Sequence, residues 1–207
     1  MLKREHSKIS GGILCDEMGL GKTIQTIAVM LESPKTTLIV VPKSIVSQWV
    51  SEIEKFAPSL TVCAYNGTHR KFTPTHVCVC PYSVVVDLID YKWERVVLDE
   101  GHEIRNQKSL VHKTCMNLKA NTKWILSGTP VFNRMKDFVS LCRFIGLEKK
   151  KVQAFLDDIK AEYILRRVKS EIIDIIPYDY ENVELEMSEK ERELYAVSYT
   201  HLRAHET

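Results

Sequence analysis

The chain has 207 residues, 44% hydrophobic and 27% charged, with a formal net charge of +2, enough for one good-sized core and the start of a second. No apolar run approaches bilayer length, and the charged start MLKREHSK has no apolar signal core, so membrane-spanning and secreted classes are set aside. A near-neutral balance neither demands nor excludes nucleic acid, so any such case has to rest on motifs rather than on bulk charge.

Short β-branched runs recur along the chain, and each ends at polar or glycine-rich residues. Ile13, Leu14 and Cys15 lead into a glycine loop at 16–23, followed by a helical pattern at Ile24, Ile27, Ala28 and Leu31. TLIVV at 37–41 leads into Pro42, Lys43 and Ser44, with Ile45, Trp49, Ile53 and Phe56 at helical spacing behind them. The run at 77–80 leads into Pro81, Tyr82 and Ser83, the run at 96–98 into Asp99 and Glu100, and the run at 123–126 into Ser127, Gly128 and Thr129. Phe138, Leu141, Cys142 and Ile145 again have helical spacing. Past Gly146 the character changes: a charged run at 148–151, a helix over 152–164, LRRVK at 165–169, and a break at Pro177. VELEM at 183–187 then alternates like a strand, and Ser188 starts a helix with acids in its first turn. Near-continuous apolar strands alternating with helices predict an α/β fold, a parallel sheet with helices on both faces. The six cysteines, Cys15, Cys63, Cys78, Cys80, Cys115 and Cys142, fall mostly in apolar runs and read as buried free thiols. Cys78 and Cys80 form a C-x-C pair that no second pair with zinc spacing follows.

Three motifs sit at strand ends, where such sheets collect ligands. In DEMGLGKT, glycines Gly19 and Gly21 let backbone N–H groups curl around phosphates, and the helix behind them points its positive end at the same anion. Asp16, Glu17, Met18, Gly19, Leu20, Gly21, Lys22 and Thr23 are therefore the candidate ATP-binding residues. Lys22 is expected to reach the β- and γ-phosphates, and the Thr23 hydroxyl to ligate magnesium. The strict loop pattern has glycine where Asp16 stands. In LDEGH at 98–102, Asp99 is assigned to the metal and Glu100 to water activation, which makes Glu100 and Lys22 the candidate catalytic pair. Ser127, Gly128 and Thr129, with His102, are the candidate coupling residues, linking the third strand end to the 99–102 loop.

Taken together these strings resemble the first motor lobe of the Swi/Snf-like DNA-dependent ATPases of helicase superfamily two. GGILCDEMGLGKTIQTIA at 11–28, including its Asp16, is close to that family's first motif. LIVVPKSIVSQW, VVLDEGHEIRN, ILSGTPVFN and YILRRVKSEI resemble the stretches that follow in the same order, from about residue 8 to 195. DEGH followed by IRN most resembles the subgroup of helicase-like transcription factor and the post-replication repair translocases. The resemblance implies a RecA-like lobe at 1–146, its end and a connector at 147–182, the start of a second lobe at 183–196, and a non-family tail at 197–207 that reads as translated adapter sequence. It implies ATP and magnesium as cofactors and duplex DNA as partner, with chromatin or repair proteins beside it. It also implies a nuclear or otherwise DNA-associated location, no membrane, and a second lobe supplying arginines in cis. The family's adenine-recognising element lies upstream of Gly11, where only ten residues stand. Pro42, Lys43, Ser44 and Gln48, with Tyr82 and Ser83, would track the DNA backbone, contacts that position without reading sequence. Lys43 is equally readable as a solvated loop lysine, and Trp49 as core rather than a stacking platform. Arg166 and Arg167 could face the other lobe or form ion pairs. Besides a DNA translocase lobe, the expectations include a nucleotide-binding interaction module without turnover in this form, and an RNA helicase lobe.

Overall fold

The computed structural model describes residues 1–68, 70–128, 135–172 and 188–192. The chain divides into two units, residues 1–174 and 175–207. Unit one opens with a short helix α1 (Leu2–Glu5) and strand β1 (Gly11–Leu14), then α2 (Lys22–Glu32), β2 (Thr37–Val41), α3 (Val46–Phe56), β3 (Val62–Ala64) and β4 (Val77–Pro81). It continues with β5 (Lys92–Leu98), α4 (Leu110–Asn117), β6 (Lys119–Leu126), α5 (Met135–Phe144), α6 (Lys149–Ala154), α7 (Leu156–Tyr163) and β7 (Ile164–Leu165). Short 3-10 turns follow β2, β4, β5 and β7.

The strands form one parallel sheet in the order β3-β4-β2-β5-β6-β1-β7. Successive residues along the central strands divide between two cores, as strand geometry requires. Leu14, Ile39, Val41, Val97 and Leu126 pack with α2 and α3 residues Ile27, Met30, Trp49 and Ile53. Ile13, Leu38, Val40, Leu98 and Ile125 pack on the other face with Phe138, Leu141, Cys142 and Phe144 of α5 and Val152 of α6. The fold is the expected α/β sheet covered on both faces.

Two expected patterns differ in detail. In α2 the buried residues are Thr26, Ile27, Val29 and Met30, while Ile24 and Leu31 are exposed. The helix exists where periodicity placed it, but the sheet takes a neighbouring stripe. The helix expected over 152–164 is two helices, broken at Phe155 with φ −128° and ψ 49°, and its last expected residue, Ile164, instead joins β7 beside β1. All six cysteines are buried free thiols. Burial pushes the Cys15 thiol up to about 11, and those of Cys78, Cys115 and Cys142 to about 12. No described helix is long and apolar enough to cross a membrane.

In unit two, the Ser188 backbone N–H and hydroxyl both donate to Glu191 Oε2 at 2.8 Å, the expected helix start with its acid reaching back to the cap. The VELEM strand expected at 183–187 and the tail at 197–207 lie outside the described residues.

Candidate functional site

The carboxyl end of β1 carries the glycine loop. Gly21 is the residue before α2 and adopts the left-handed conformation, φ 71° and ψ 36°. Gly19 also has positive φ, 88°. Both are positions where a β-carbon is strained, which is why glycine spacing was legible here. The Lys22 side chain folds back over the loop, its Nζ donating to the carbonyls of Asp16 at 2.8 Å and Glu17 at 3.3 Å. Met18 is largely exposed, and Leu20 and Thr23 are half-buried along the loop.

Asp16 plays a different part from the one expected. Its side chain has no exposed surface, and both oxygens are bound from inside the protein. Arg167 donates to it through Nε at 3.1 Å, through Nη2, and through its backbone N–H at 3.1 Å. Gln25 Nε2 donates at 3.0 Å, and Arg167 Nη2 also reaches Gln25 Oε1 at 2.6 Å. Burial alone would raise the Asp16 carboxyl, but the hydrogen bonds and charge of Arg167, with Gln25, hold it below the usual carboxylate range. Asp16 thus supports the loop from behind rather than facing a ligand. For Arg167 the structure selects the ion-pair reading.

That pair belongs to a longer strap. The Cys15 N–H donates to Leu165 O at 2.7 Å and the Glu17 N–H to Arg167 O at 3.0 Å, while the Lys169 N–H donates to Glu17 Oε2 at 2.7 Å. Residues 164–169 therefore run alongside the loop and bind it residue by residue. Sequence reading missed this strap. The available signal was an acid directly after an apolar run, which needs a cation somewhere, and the arginine pair at 166–167.

At the end of β5, the Asp99 carboxylate accepts from Trp49 Nε1 at 2.7 Å through Oδ2 and from the Glu100 N–H at 2.9 Å through Oδ1. Burial pushes its pKa up, partly offset by those two hydrogen bonds and by the charge of Lys22. Glu100 has φ 50° and ψ 55°, and among the described residues it is the one non-glycine residue with positive φ. Such strain concentrates at functional sites. His102 Nδ1 lies 3.2 Å from Glu100 Oε2, outside hydrogen-bond geometry. Gly101 presses against β6, where a β-carbon would fall 2.2 Å from Ile125 Cγ2.

At the end of β6, Ser127 is buried and its N–H donates to Leu14 O at 3.0 Å. A β-carbon on Gly128 would meet Met18 Cγ at 2.6 Å and Lys22 Nζ at 3.5 Å, so this segment lies against the glycine loop. Thr129 lies outside the described residues. Of the expected DNA-facing residues, Lys43, Ser44, Gln48 and Ser83 are exposed and Pro42 is half-buried. Gln48 Nε2 donates to Glu52 Oε1 at 3.2 Å. Tyr82 is a correction: it is buried, and its hydroxyl donates to the Asp99 carbonyl at 2.7 Å, so its ring is not available to DNA.

A parallel sheet with a glycine loop at one strand end and an acidic pair at another is the arrangement of a helicase-like ATPase lobe. Residues 1–155 match the SNF2-related domain, and the chain belongs to that family. It is 31% identical to the mouse "SWI/SNF-related matrix-associated actin-dependent regulator of chromatin subfamily A containing DEAD/H box 1", over 96% of this chain and 24% of that protein. It is 28% identical to the DNA repair protein rad5 of Aspergillus fumigatus, over 92% of this chain and 22% of that protein. The chain thus spans about a quarter of the length of these relatives. The Sulfolobus solfataricus SWI2/SNF2 ATPase core, solved in complex with double-stranded DNA, superposes with a TM-score of 0.70 at 30% identity, over 77% of this chain and 40% of that one. The fold is that of the first RecA-like lobe of the SNF2 ATPase core.

Proposed function

We propose that this lobe binds ATP with magnesium at the 16–23 loop, belongs to a motor that translocates on duplex DNA, and serves remodelling of chromatin or repair intermediates in the nucleus. The observation that carries the reading is the glycine loop with Lys22 after β1 and the Asp99–Glu100 pair after β5, at the same end of the sheet on either side of β6, with Lys22 resting on loop carbonyls that a phosphate would replace. Backbone N–H groups of the loop and the start of α2 cradle the anion, and Lys22 turns from the Asp16 and Glu17 carbonyls to the β- and γ-phosphates. Thr23 and Asp99 would hold magnesium. The fit is supported by Asp99 itself, a half-buried carboxylate with no cation in ion-pair contact among the described residues. Magnesium there would neutralise charge on the phosphates. Glu100 orients and polarises the attacking water. His102, Ser127, Gly128 and Thr129 relay between this centre and DNA, which Pro42, Lys43, Ser44, Gln48 and Ser83 hold by its backbone.

Lys22→Ala is expected to weaken magnesium-ATP binding by about 1.5–3 kcal/mol, the loss of a charge-assisted contact. Equal affinities measured calorimetrically on folded proteins would reject the site. In a protein carrying both lobes, Glu100→Gln should keep nucleotide binding and nearly abolish hydrolysis. Duplex DNA should stimulate that hydrolysis with steep salt dependence. Stimulation by RNA alone would move the chain to the RNA-helicase reading. The 207-residue chain by itself should bind nucleotide and hydrolyse it near background, because an arginine finger from a second lobe is worth roughly 10³–10⁵ in rate.

A further inference from the structure

Asp99 is held at two atoms by two aromatic side chains, and each comes from a different surface segment. Trp49 lies on α3, whose entry is the Lys43–Ile45 turn after β2, exposed at Lys43 and Ser44. Its indole N–H donates to the Asp99 carboxylate at 2.7 Å. Tyr82 begins the turn after β4, one residue before the exposed Ser83. Its hydroxyl donates to the Asp99 carbonyl at 2.7 Å. A buried indole or phenol needs some acceptor, and any nearby carbonyl would do. Here both donors converge on a residue assigned to the metal, and both start from the segments assigned to the DNA backbone. α3 is a rigid rod between its two ends, with Trp49 only 2% exposed and Val46 and Ile53 buried on the same side. A displacement of the Lys43–Ile45 turn is therefore passed to the indole rather than absorbed in between.

Resting on the function proposed above, we propose that Trp49 and Tyr82 are positioning residues that link bound DNA to the nucleotide site by setting the carboxylate and backbone of Asp99. DNA drawn onto Lys43, Ser44 and Ser83 fixes both arms, and the arms fix Asp99 where it meets the metal–nucleotide. This path runs through the ends of β2, β4 and β5, and is separate from the Ser127–Gly128 segment at the end of β6. Linkage makes the effect reciprocal: nucleotide must tighten DNA by the same factor that DNA tightens nucleotide.

The test needs binding alone. The affinity of the full chain for a short blunt DNA duplex is measured by fluorescence anisotropy, with and without a non-hydrolysable ATP analogue plus magnesium. The unaltered chain should show a ratio of about 5–150 between the two conditions, the usual range of coupling between sites. Tyr82→Phe removes one oxygen and keeps the ring, and Trp49→Phe removes the indole donor. Each should bring the ratio towards 1 while DNA affinity without nucleotide stays within a few-fold. Lys43→Ala, by contrast, should weaken DNA in both conditions and lower the ratio only in part, because Ser44 and Ser83 still hold the two arms. A purely structural role for the two aromatics would lower the melting temperature and leave the ratio unchanged. If Trp49→Phe does not fold, Tyr82→Phe decides. A ratio unchanged in folded Tyr82→Phe, or a ratio of 1 in the unaltered chain when both ligands bind, overturns the proposal. Failure of the unaltered chain to bind nucleotide or DNA at all overturns the proposed function, and this proposal with it.

Discussion

Asp16 and Arg167 stand 151 positions apart and form an ion pair at the back of the glycine loop, with Asp16 fully buried and Arg167 40% exposed. Removing one partner of a buried pair costs about 3–5 kcal/mol because the other charge is stranded. The exposed guanidinium already keeps part of its hydration, so Arg167→Ala should cost less, about 2–3 kcal/mol in urea unfolding. Nucleotide affinity should fall as well, because Arg167 also holds Gln25, which ties the loop through Leu20 O at 2.9 Å. Arg167→Lys should not rescue it, since a point charge cannot span both Asp16 oxygens and Gln25. An Arg167→Ala protein with unchanged stability would show that Asp16 is satisfied by other means. Glu100 presents the opposite economy. Its left-handed backbone is a strain that glycine would relieve, so Glu100→Gly should raise stability by up to about 1 kcal/mol while removing the carboxylate meant for water. A fall in melting temperature in that variant would contradict the strain. The left-handed backbone of Gly19 and Gly21 was legible because positive φ restricts residue choice locally. The role of Asp16 was not, because its partner lies on the far side of the chain.

Among the elements, the strands that were readable are those buried on both faces, β1, β2, β4, β5 and β6, since a long apolar run has few other homes. β3 and β7 have three and two residues, too short to carry a period, and they exist because a neighbouring strand offers an open edge. α4 was unreadable for a related reason: it covers little of the sheet, and its start is marked by a single Ser109 side chain accepting from the His112 N–H. The phase of α2 was misread because Ile24 and Leu31 are apolar yet exposed, and Thr26 is buried with its hydroxyl donating back to Lys22 O. Contacts between elements also govern the acidic loop. Gly101→Ala drives a methyl into Ile125 on β6, and overpacking of this kind costs about 1–3 kcal/mol. Ile125→Leu removes the branch that clashes, so it should restore part of the loss in the double variant. Additive destabilisation in the four-protein cycle would mean that the two residues do not press on each other.

At the scale of the whole lobe, the carboxyl ends of the strands hold the candidate site, and the amino-terminal side holds a buried charge network that fixes the start of the chain. Glu5 of α1 takes Arg95 of β5 on both oxygens at 2.6 Å, with Lys35 at 2.8 Å and the Trp124 indole at 3.0 Å. Arg95 also donates to Ser33 O at 2.8 Å and Thr37 Oγ1 at 3.2 Å. One carboxylate thus ties the helix before β1 to β5, β6 and the turn before β2, the strands that carry the glycine loop, Asp99 and the Lys43 segment at their other ends. Burial would raise the Glu5 carboxyl, but Arg95, Lys35 and Trp124 together bring it down to about 2 from an ordinary 4.5. A carboxyl depressed by folding stabilises the protein at every pH above its unfolded value, and that contribution is lost as pH falls through the folded one. The window here is 4.5 down to about 2. Glu5→Gln keeps the shape and deletes the charge, leaving Arg95 buried without a counterion, so at neutral pH it should cost about 3–5 kcal/mol. The gap between the two proteins should hold down to about pH 4.5 and close towards pH 2, where the unaltered Glu5 is itself protonated. Urea unfolding of both proteins across that range measures it. A gap that stayed constant to pH 2 would mean that Glu5 holds this end of the sheet by its packing, with its charge irrelevant.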